Sequence, residues 1–143
     1  MKRALPVYEK HLGQSHPEMA EPLTNLCAIL LQNHKANECE PYLRRGLAIV
    51  QEAFPISVRM AVLQEELATL ETVRGNYSEA AKLFENVIAM EERLLGPEHP
   101  LLAQALTNYA YALRRGHQGR AAKLAKNRAD SILKTLPNAF TLH

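Results

Sequence analysis

The chain has 143 residues and a formal net charge of +2 at neutral pH, with 47% hydrophobic residues and no tryptophan. This length allows one domain with a sizeable core, and the balanced charge argues against a polycation that binds nucleic acid along its whole length. No apolar run approaches the roughly 18 residues that cross a bilayer, and the basic start "MKRALPVYEK" is followed by no signal-like apolar segment. We therefore expect a cytoplasmic protein without a membrane partner.

The same phrase occurs near both ends of the chain. "LGQSHPEMAEPLTNL" covers residues 12–26 and "LGPEHPLLAQALTNY" covers residues 95–109, with eight identical letters in order. A weaker copy lies between them, because Ala61 meets Ala20 after a shift of 41 residues and Ala103 after a shift of 42. Self-similarity at such a period indicates a repeat protein.

Each repeat contains two predicted helices. The first helix of the middle repeat carries an apolar stripe at helical spacing, and Gly75 then ends it. The stripe consists of Met60, Leu63, Leu67, Leu70 and Val73. In chain order, the units are a partial repeat (1–13, a second helix only), repeats at 14–54, 55–96 and 97–136, the last with a capping helix, and a tail at 137–143.

Histidines occur at two kinds of position in these units. His16 and His99 each precede a proline that opens a helix, where a histidine can cap the helix or pack under the preceding loop. His34 and His117 occupy or adjoin turn positions where glycine is usual. No tight C-x-x-C or H-x-x-x-H spacing supports a metal site, so we expect these histidines to be structural.

Two stretches, "LATLETVRGNYSEAAKLF" and "TNYAYALRRGHQGRAAKLAKNRADSIL", resemble the tetratricopeptide repeat in its roughly 42-residue form, found in kinesin light chain. The resemblance extends over nearly the whole chain. It implies an all-α, right-handed α-solenoid of antiparallel helix pairs, here with about seven helices, whose first helices line a concave groove.

The resemblance also implies that two small residues touch within each helix pair. They are Cys27 with Cys39, Ala68 with Ala80, and Ala110 with Ala122. For the cysteines we favour small core residues in place of alanine, since free cysteine buries readily. A disulfide and a redox or metal pair are the alternatives, and cytosolic conditions disfavour the disulfide.

In this family, the asparagine of the "TNL" phrase faces the groove and can grip a peptide backbone. The candidate groove residues are Thr24, Asn25, Glu65, Glu66, Thr107, Asn108, Tyr111, Arg114 and Arg115. The middle repeat has glutamates at the two positions, so its groove is expected to be acidic, with a basic end at the last repeat. The alternative is that Asn25 and Asn108 bond to neighbouring repeats.

Catalytic patterns are not evident. No nucleophile is accompanied by a base and an orienting group, and no glycine-rich phosphate loop occurs, so we expect neither an enzyme nor a cofactor.

Residues 114–134 carry seven cations and one carboxylate, Asp130. This segment is expected to be the solvated face of a capping helix, or else to meet an acidic partner, since it lacks the interleaved aromatic residues that bind single-stranded nucleic acid.

The leading hypothesis is a non-catalytic module that binds a peptide or protein segment in its groove. The alternative is an oligomerising segment of a larger scaffold that acts through its repeat edges. At the N-terminal edge, Leu5, Tyr8 and Leu12 belong to a helix without its partner helix, so some self-association is expected there.

Overall fold

The computed structural model describes residues 19–135. This part of the chain forms six α-helices and no strand: α1 (Ala20–Gln32), α2 (Ala36–Ala53), α3 (Val58–Val73), α4 (Tyr77–Leu95), α5 (Pro100–Arg115) and α6 (Gly119–Thr135). The predicted all-α repeat fold is confirmed. The additional helix expected at residues 1–13, its proposed edge contacts and the tail at 137–143 lie outside the described residues, and the repeat boundaries remain a prediction.

The turn inside each helix pair has the same backbone geometry. His34, Gly75 and His117 have positive φ angles of 60°, 84° and 65°. In the middle pair, the N–H of Asn76 donates to the carbonyl of Glu71 at 2.8 Å, and the other two turns have the equivalent bond. This is the Schellman arrangement, which satisfies carbonyls that the end of a helix leaves unpaired. The two histidines therefore occupy a left-handed position that glycine would adopt more easily.

The first helices of the second and third pairs begin at side-chain caps. The Ser57 hydroxyl accepts the N–H of Met60 at 3.1 Å, and Nδ1 of His99 accepts the N–H of Leu101 at 3.1 Å. Pro100 follows His99 as the first helical residue, where the missing N–H is not needed. The predicted capping role of His99 is thus observed, and it explains the His-Pro pair of the repeated phrase.

The helix pairs stack into a solenoid. Helix α1 contacts α3, and α3 contacts α5, while no Cα atoms of α2 and α4, or of α4 and α6, come within 8 Å among the described residues. Because the first helices lie closer together than the second helices, the stack curves with its first helices on the inner surface.

The small residues of each pair are buried at the helix contact, as predicted. Cys27 and Cys39 have no exposed surface, and the Cys27 thiol donates to the Cys39 carbonyl at 3.2 Å. Both thiols are free. The hydrogen bond to Cys39, together with burial, raises the pKa of Cys27, which disfavours the reactive thiolate. These contacts support the interpretation of both cysteines as core residues.

The two helices of a pair form a shallow surface between them, here called the seat. The first helix of the next pair packs on this surface. The first seat lies between α1 and α2 and holds α3, and the second seat lies between α3 and α4 and holds α5. In the second seat, Ala68, Ala80 and Phe84 form a cluster with Ala112 and Tyr109 of α5, and the Phe84 and Tyr109 ring centroids are 6.3 Å apart. Neighbouring repeats are therefore joined by continuous core packing.

Substitution of Gly75 and Gly119 measures the effect of backbone strain on stability, because neither substitution creates a steric clash. An added Cβ would meet no atom within 4 Å at either Gly75 or Gly119, but only Gly75 has a positive φ. We expect Gly75→Ala to lower the free energy of unfolding by about 1 kcal/mol, and Gly119→Ala to raise it slightly as a better helix former. His117→Gly should raise it by about 0.5 kcal/mol, since relief of strain exceeds the added unfolded-state entropy. Urea unfolding measures all three, and destabilisation by His117→Gly would contradict the strain argument.

Candidate functional site

A cleft separates α1 from α3 on the inner surface. It encloses about 290 Å³ and is lined by Glu21, Thr24, Asn25, Val58, Arg59, Val62 and Leu63. Its walls are mainly aliphatic, Thr24 is half-buried, and the Asn25 side chain is exposed. An amide can donate and accept hydrogen bonds at once, so this α1–α3 cleft combines an apolar cavity with a group suited to a peptide backbone.

A smaller cleft lies between α3 and α5. It encloses about 100 Å³ and is lined by Thr69, Thr72, Val73, Phe84, Asn108 and Tyr111. Val73 and Tyr111 are 65% and 49% exposed. The assignment of Val73 to the buried stripe of α3 is therefore wrong. Val73 lies four residues after Thr69 and shares its helix face, which is turned towards the cleft rather than towards the core.

The two asparagines of the repeated phrase differ in their surroundings. Asn25 is exposed on α1, whereas Asn108 is half-buried and its Nδ2 donates to Oε1 of Glu65 at 3.0 Å. The Asn108 amide thus bonds to the neighbouring repeat, as the alternative interpretation proposed. Only Asn25 keeps an exposed amide for another molecule.

Two glutamates of the middle repeat are buried near one another. Glu65 is 9% exposed and Glu91 only 1%, and Oε2 of Glu91 has no hydrogen-bond partner among the described residues. Burial, and then the negative charge of Glu65, raises the pKa of Glu91 to about 7. Burial likewise raises the pKa of Glu65, although the bond from Asn108 partly offsets this. Glu65 is accordingly a buried inter-repeat residue.

Glu66 is half-buried between the first and second repeats. Its charge influences the thiols of Cys27 and Cys39, which places it over the first seat. Burial and the nearby Glu65 raise the pKa of Glu66. Asn108 occupies the corresponding place one repeat later and also reaches back to the preceding repeat.

The remaining candidates separate into two groups. Thr107 and Arg114 are exposed and line a surface between α5 and α6, together with Tyr111. Arg115 lies elsewhere: its Nε donates to the Tyr77 hydroxyl at 3.2 Å, and its guanidinium carbon lies 5.8 Å from the centroid of the Tyr77 ring. The structure therefore does not bring all nine candidates into one groove.

Sequence reasoning missed the aliphatic residues of the α1–α3 cleft. Val58 and Val62 share one face of α3 and lie beside, rather than on, the stripe of Met60 and Leu63. An additional aliphatic pair at helical spacing outside that stripe was the available signal.

No group of three His, Cys, Asp or Glu side chains in residues 19–135 is arranged to hold a metal ion. None of the helices described is long and apolar enough to cross a bilayer.

Comparison with known proteins agrees with this architecture. A family model of the tetratricopeptide repeat matches residues 59–129, from α3 into α6. These residues belong to the tetratricopeptide repeat family. Tetratricopeptide repeats generally mediate protein–protein interaction, and their fold is typically non-catalytic. A search of curated protein sequences finds no significant match.

Three solved structures share the fold of the described helices. BtubC (BKLC) from P. vanneervenii has a TM-score of 0.80 and 22% identity, covering 92% of this chain and 53% of that one. Nearly identical TPR-like repeats assigned to a kinesin light chain of P. anserina have a TM-score of 0.79 and 24% identity, covering 95% and 65%. A variant of those repeats has a TM-score of 0.77 and 24% identity, covering 96% and 66%. The chain thus spans about half to two thirds of their length.

The buried Glu91 predicts a pH-dependent stability. Since its folded-state pKa is raised to about 7, the contribution of Glu91 to stability is greatest below the ordinary carboxyl range and is lost as pH rises through 7. Glu91→Leu, which introduces the apolar character of the corresponding Val50 and Leu133, should reduce this dependence, leaving the part due to Glu65 and Glu66, and stabilise the protein at pH 8 by on the order of 2 kcal/mol. Urea unfolding across this pH range measures both effects. Glu98→Gln, at an exposed site, is the control, and an unchanged slope in Glu91→Leu would contradict the assignment.

Proposed function

We propose that this chain is a non-catalytic interaction module that binds an extended peptide segment of a partner protein on its inner surface. The α1–α3 cleft carries this proposal, because it joins a cavity of about 290 Å³ to the exposed amide of Asn25. An apolar side chain of the peptide enters the cleft, and the Asn25 amide bonds to the adjacent peptide backbone. This mode of recognition needs neither a metal nor a cofactor.

The physical basis is a preformed apolar surface. Val58, Val62 and Leu63 belong to a helix held in place by packing on the first seat, so little ordering is needed on binding. Complete burial of one aliphatic side chain contributes about 1.5–3 kcal/mol. The hydrogen bonds of Asn25 add orientation, because they require a backbone at one distance and direction.

Under this proposal, the middle of the inner surface supplies apolar contacts to the peptide. Asn108 is occupied by its bond to Glu65, so the α3–α5 cleft offers mainly the exposed Val73 and Tyr111. A peptide that continues along the surface would meet apolar contact there instead of a second amide. The preferred ligand therefore has apolar side chains at two separated positions, with backbone recognition concentrated near Asn25.

The remaining expectations from the sequence stay predictions. Absence of enzymatic activity, a cytoplasmic location and the absence of nucleic-acid and membrane partners accompany the proposed module. Scaffold assembly through the repeat edges is the alternative function, and its N-terminal residues lie outside the described range.

Binding to peptides from a random phage-displayed library tests the proposal. Selected peptides are synthesised, and their affinity for purified variants is measured by fluorescence polarisation. Asn25→Ala should weaken binding about tenfold, and Val62→Phe should block it by filling the cleft. Neither change should lower the thermal midpoint much. The matched control is Asn86→Ala, which changes an exposed residue of α4. This variant should bind normally. Unchanged affinity in both cleft variants would overturn the proposed site.

A further inference from the structure

The last of the described helix pairs, α5 with α6, has a seat of its own. This terminal seat is the surface between α5 and α6, with a cavity of about 500 Å³. Among the residues that line it are Arg114, Lys123 and Lys126, and none of its lining residues is Asp or Glu. It corresponds to the surfaces that hold α3 and α5 in the preceding pairs.

Comparison in register shows how the terminal seat differs from the second seat. Helix α5 begins 42 residues after α3, and α6 begins 42 residues after α4. Lys123 and Lys126 therefore stand where Ala81 and Phe84 stand in the second seat. Phe84 is 1% exposed beneath α5, whereas the Lys126 side chain is 53% exposed. The corresponding residue of the first seat, Leu43, is fully buried.

Whereas the terminal seat gains lysines relative to the second seat, it loses carboxylates. The second seat has Glu65 and Glu85 where the terminal seat has neutral residues. Those neutral residues are Thr107 and Asn127. Arg114 further replaces Thr72. The seat thus changes from an apolar surface with two carboxylates to a surface with three cations and no carboxylate.

The second seat shows how such a surface selects the helix that occupies it. Its occupant, α5, donates from the amide of Asn108 to Glu65, and from the hydroxyl of Tyr109 to Glu85 at 3.0 Å. A carboxylate-bearing seat therefore receives a helix that presents donors. By the same complementarity, a seat of cations should receive a helix that presents acceptors.

Among the described residues, the cations of the terminal seat have few carboxylate partners. Within residues 19–135, Arg114 and Lys123 have no carboxylate at ion-pair distance. Lys126 pairs with Asp130 at 2.9 Å, one turn along the same helix, and both side chains are about half exposed. An exposed pair of this kind contributes little free energy, so it competes weakly with another carboxylate.

We infer that the terminal seat binds an acidic helix of a partner protein. The helix lies between α5 and α6 as α5 lies on the second seat, and its Glu or Asp side chains pair with Arg114, Lys123 and Lys126. Ala110 and Ala122 line the same surface and let a helix approach closely, while the half-exposed Tyr111 offers an apolar contact.

This inference does not rest on the proposed peptide site. The α1–α3 cleft and the terminal seat lie on different repeats and share no lining residue. Asn108 and Tyr111 line both the α3–α5 cleft and the terminal seat, so neither is varied in the tests. Variants of Asn25 or Val62 therefore test one site, and variants of Lys123 or Lys126 test the other.

The test uses a fluorescein-labelled synthetic helix of Ala, Leu and Glu with the glutamates on one face, and a counterpart with Gln at each Glu. Fluorescence polarisation at low salt measures binding to the full chain. We expect the Glu helix to bind at least about tenfold more tightly than the Gln helix. Lys123→Glu/Lys126→Glu should abolish this binding, and the neutral pair Arg114→Gln/Lys123→Gln should weaken it with unchanged helix content by circular dichroism.

Arg120→Glu/Lys134→Glu is the matched control, because it makes the same change of net charge on exposed residues of α6 outside the terminal seat. It should retain binding to the Glu helix. An equal loss in this control would indicate general attraction and overturn the inference, as would equal affinity for the Glu and Gln helices. A single-stranded oligonucleotide that bound the same surface more tightly than the Glu helix would overturn the assignment to a protein partner.

Discussion

The structure depends on the burial of one repeat's seat by the first helix of the next repeat. A helix pair with apolar residues on its inner contact and on its seat cannot cover both surfaces alone. Phe84 shows the consequence, because it belongs to α4 but is buried by Tyr109 and Ala112 of the following helix. The Schellman turns at His34, Gly75 and His117 give the three pairs a common geometry, so each seat meets the next helix in the same way.

This coupling determines which polar groups remain for recognition. Where a following repeat is present, Asn108 bonds to Glu65, and Glu65 and Glu91 are buried at a cost in stability that grows with pH. Among the candidate groove residues, the exposed polar side chains of Asn25, Thr107 and Arg114 consequently lie towards the two ends of the described stack. Under the two proposals, a peptide binds at the first end and an acidic helix at the other. One fold would then join two different partners.

The repeat fold could be predicted because its signals are local and recur. Turn residues, helix caps such as His99 and the small pair Cys27–Cys39 each occupy a position that spacing along one chain specifies. What lies opposite a side chain in the next repeat was harder to predict. Periodicity assigns a residue to a helix face, but the rotation of the neighbouring helix decides which long side chains meet across the joint. For this reason the bond of Arg115 to Tyr77 and the exposure of Val73 could not be read from the sequence.

The most direct test of the central claim compares Phe84→Ala with Lys126→Ala. The two residues occupy the same place in consecutive repeats, but only Phe84 is covered by a following helix among the described residues. If burial of the seat holds the repeats together, Phe84→Ala should reduce the free energy of unfolding by about 3–5 kcal/mol and Lys126→Ala by less than about 0.5 kcal/mol. Similar losses in the two variants, measured by urea unfolding of the purified chain, would contradict the account.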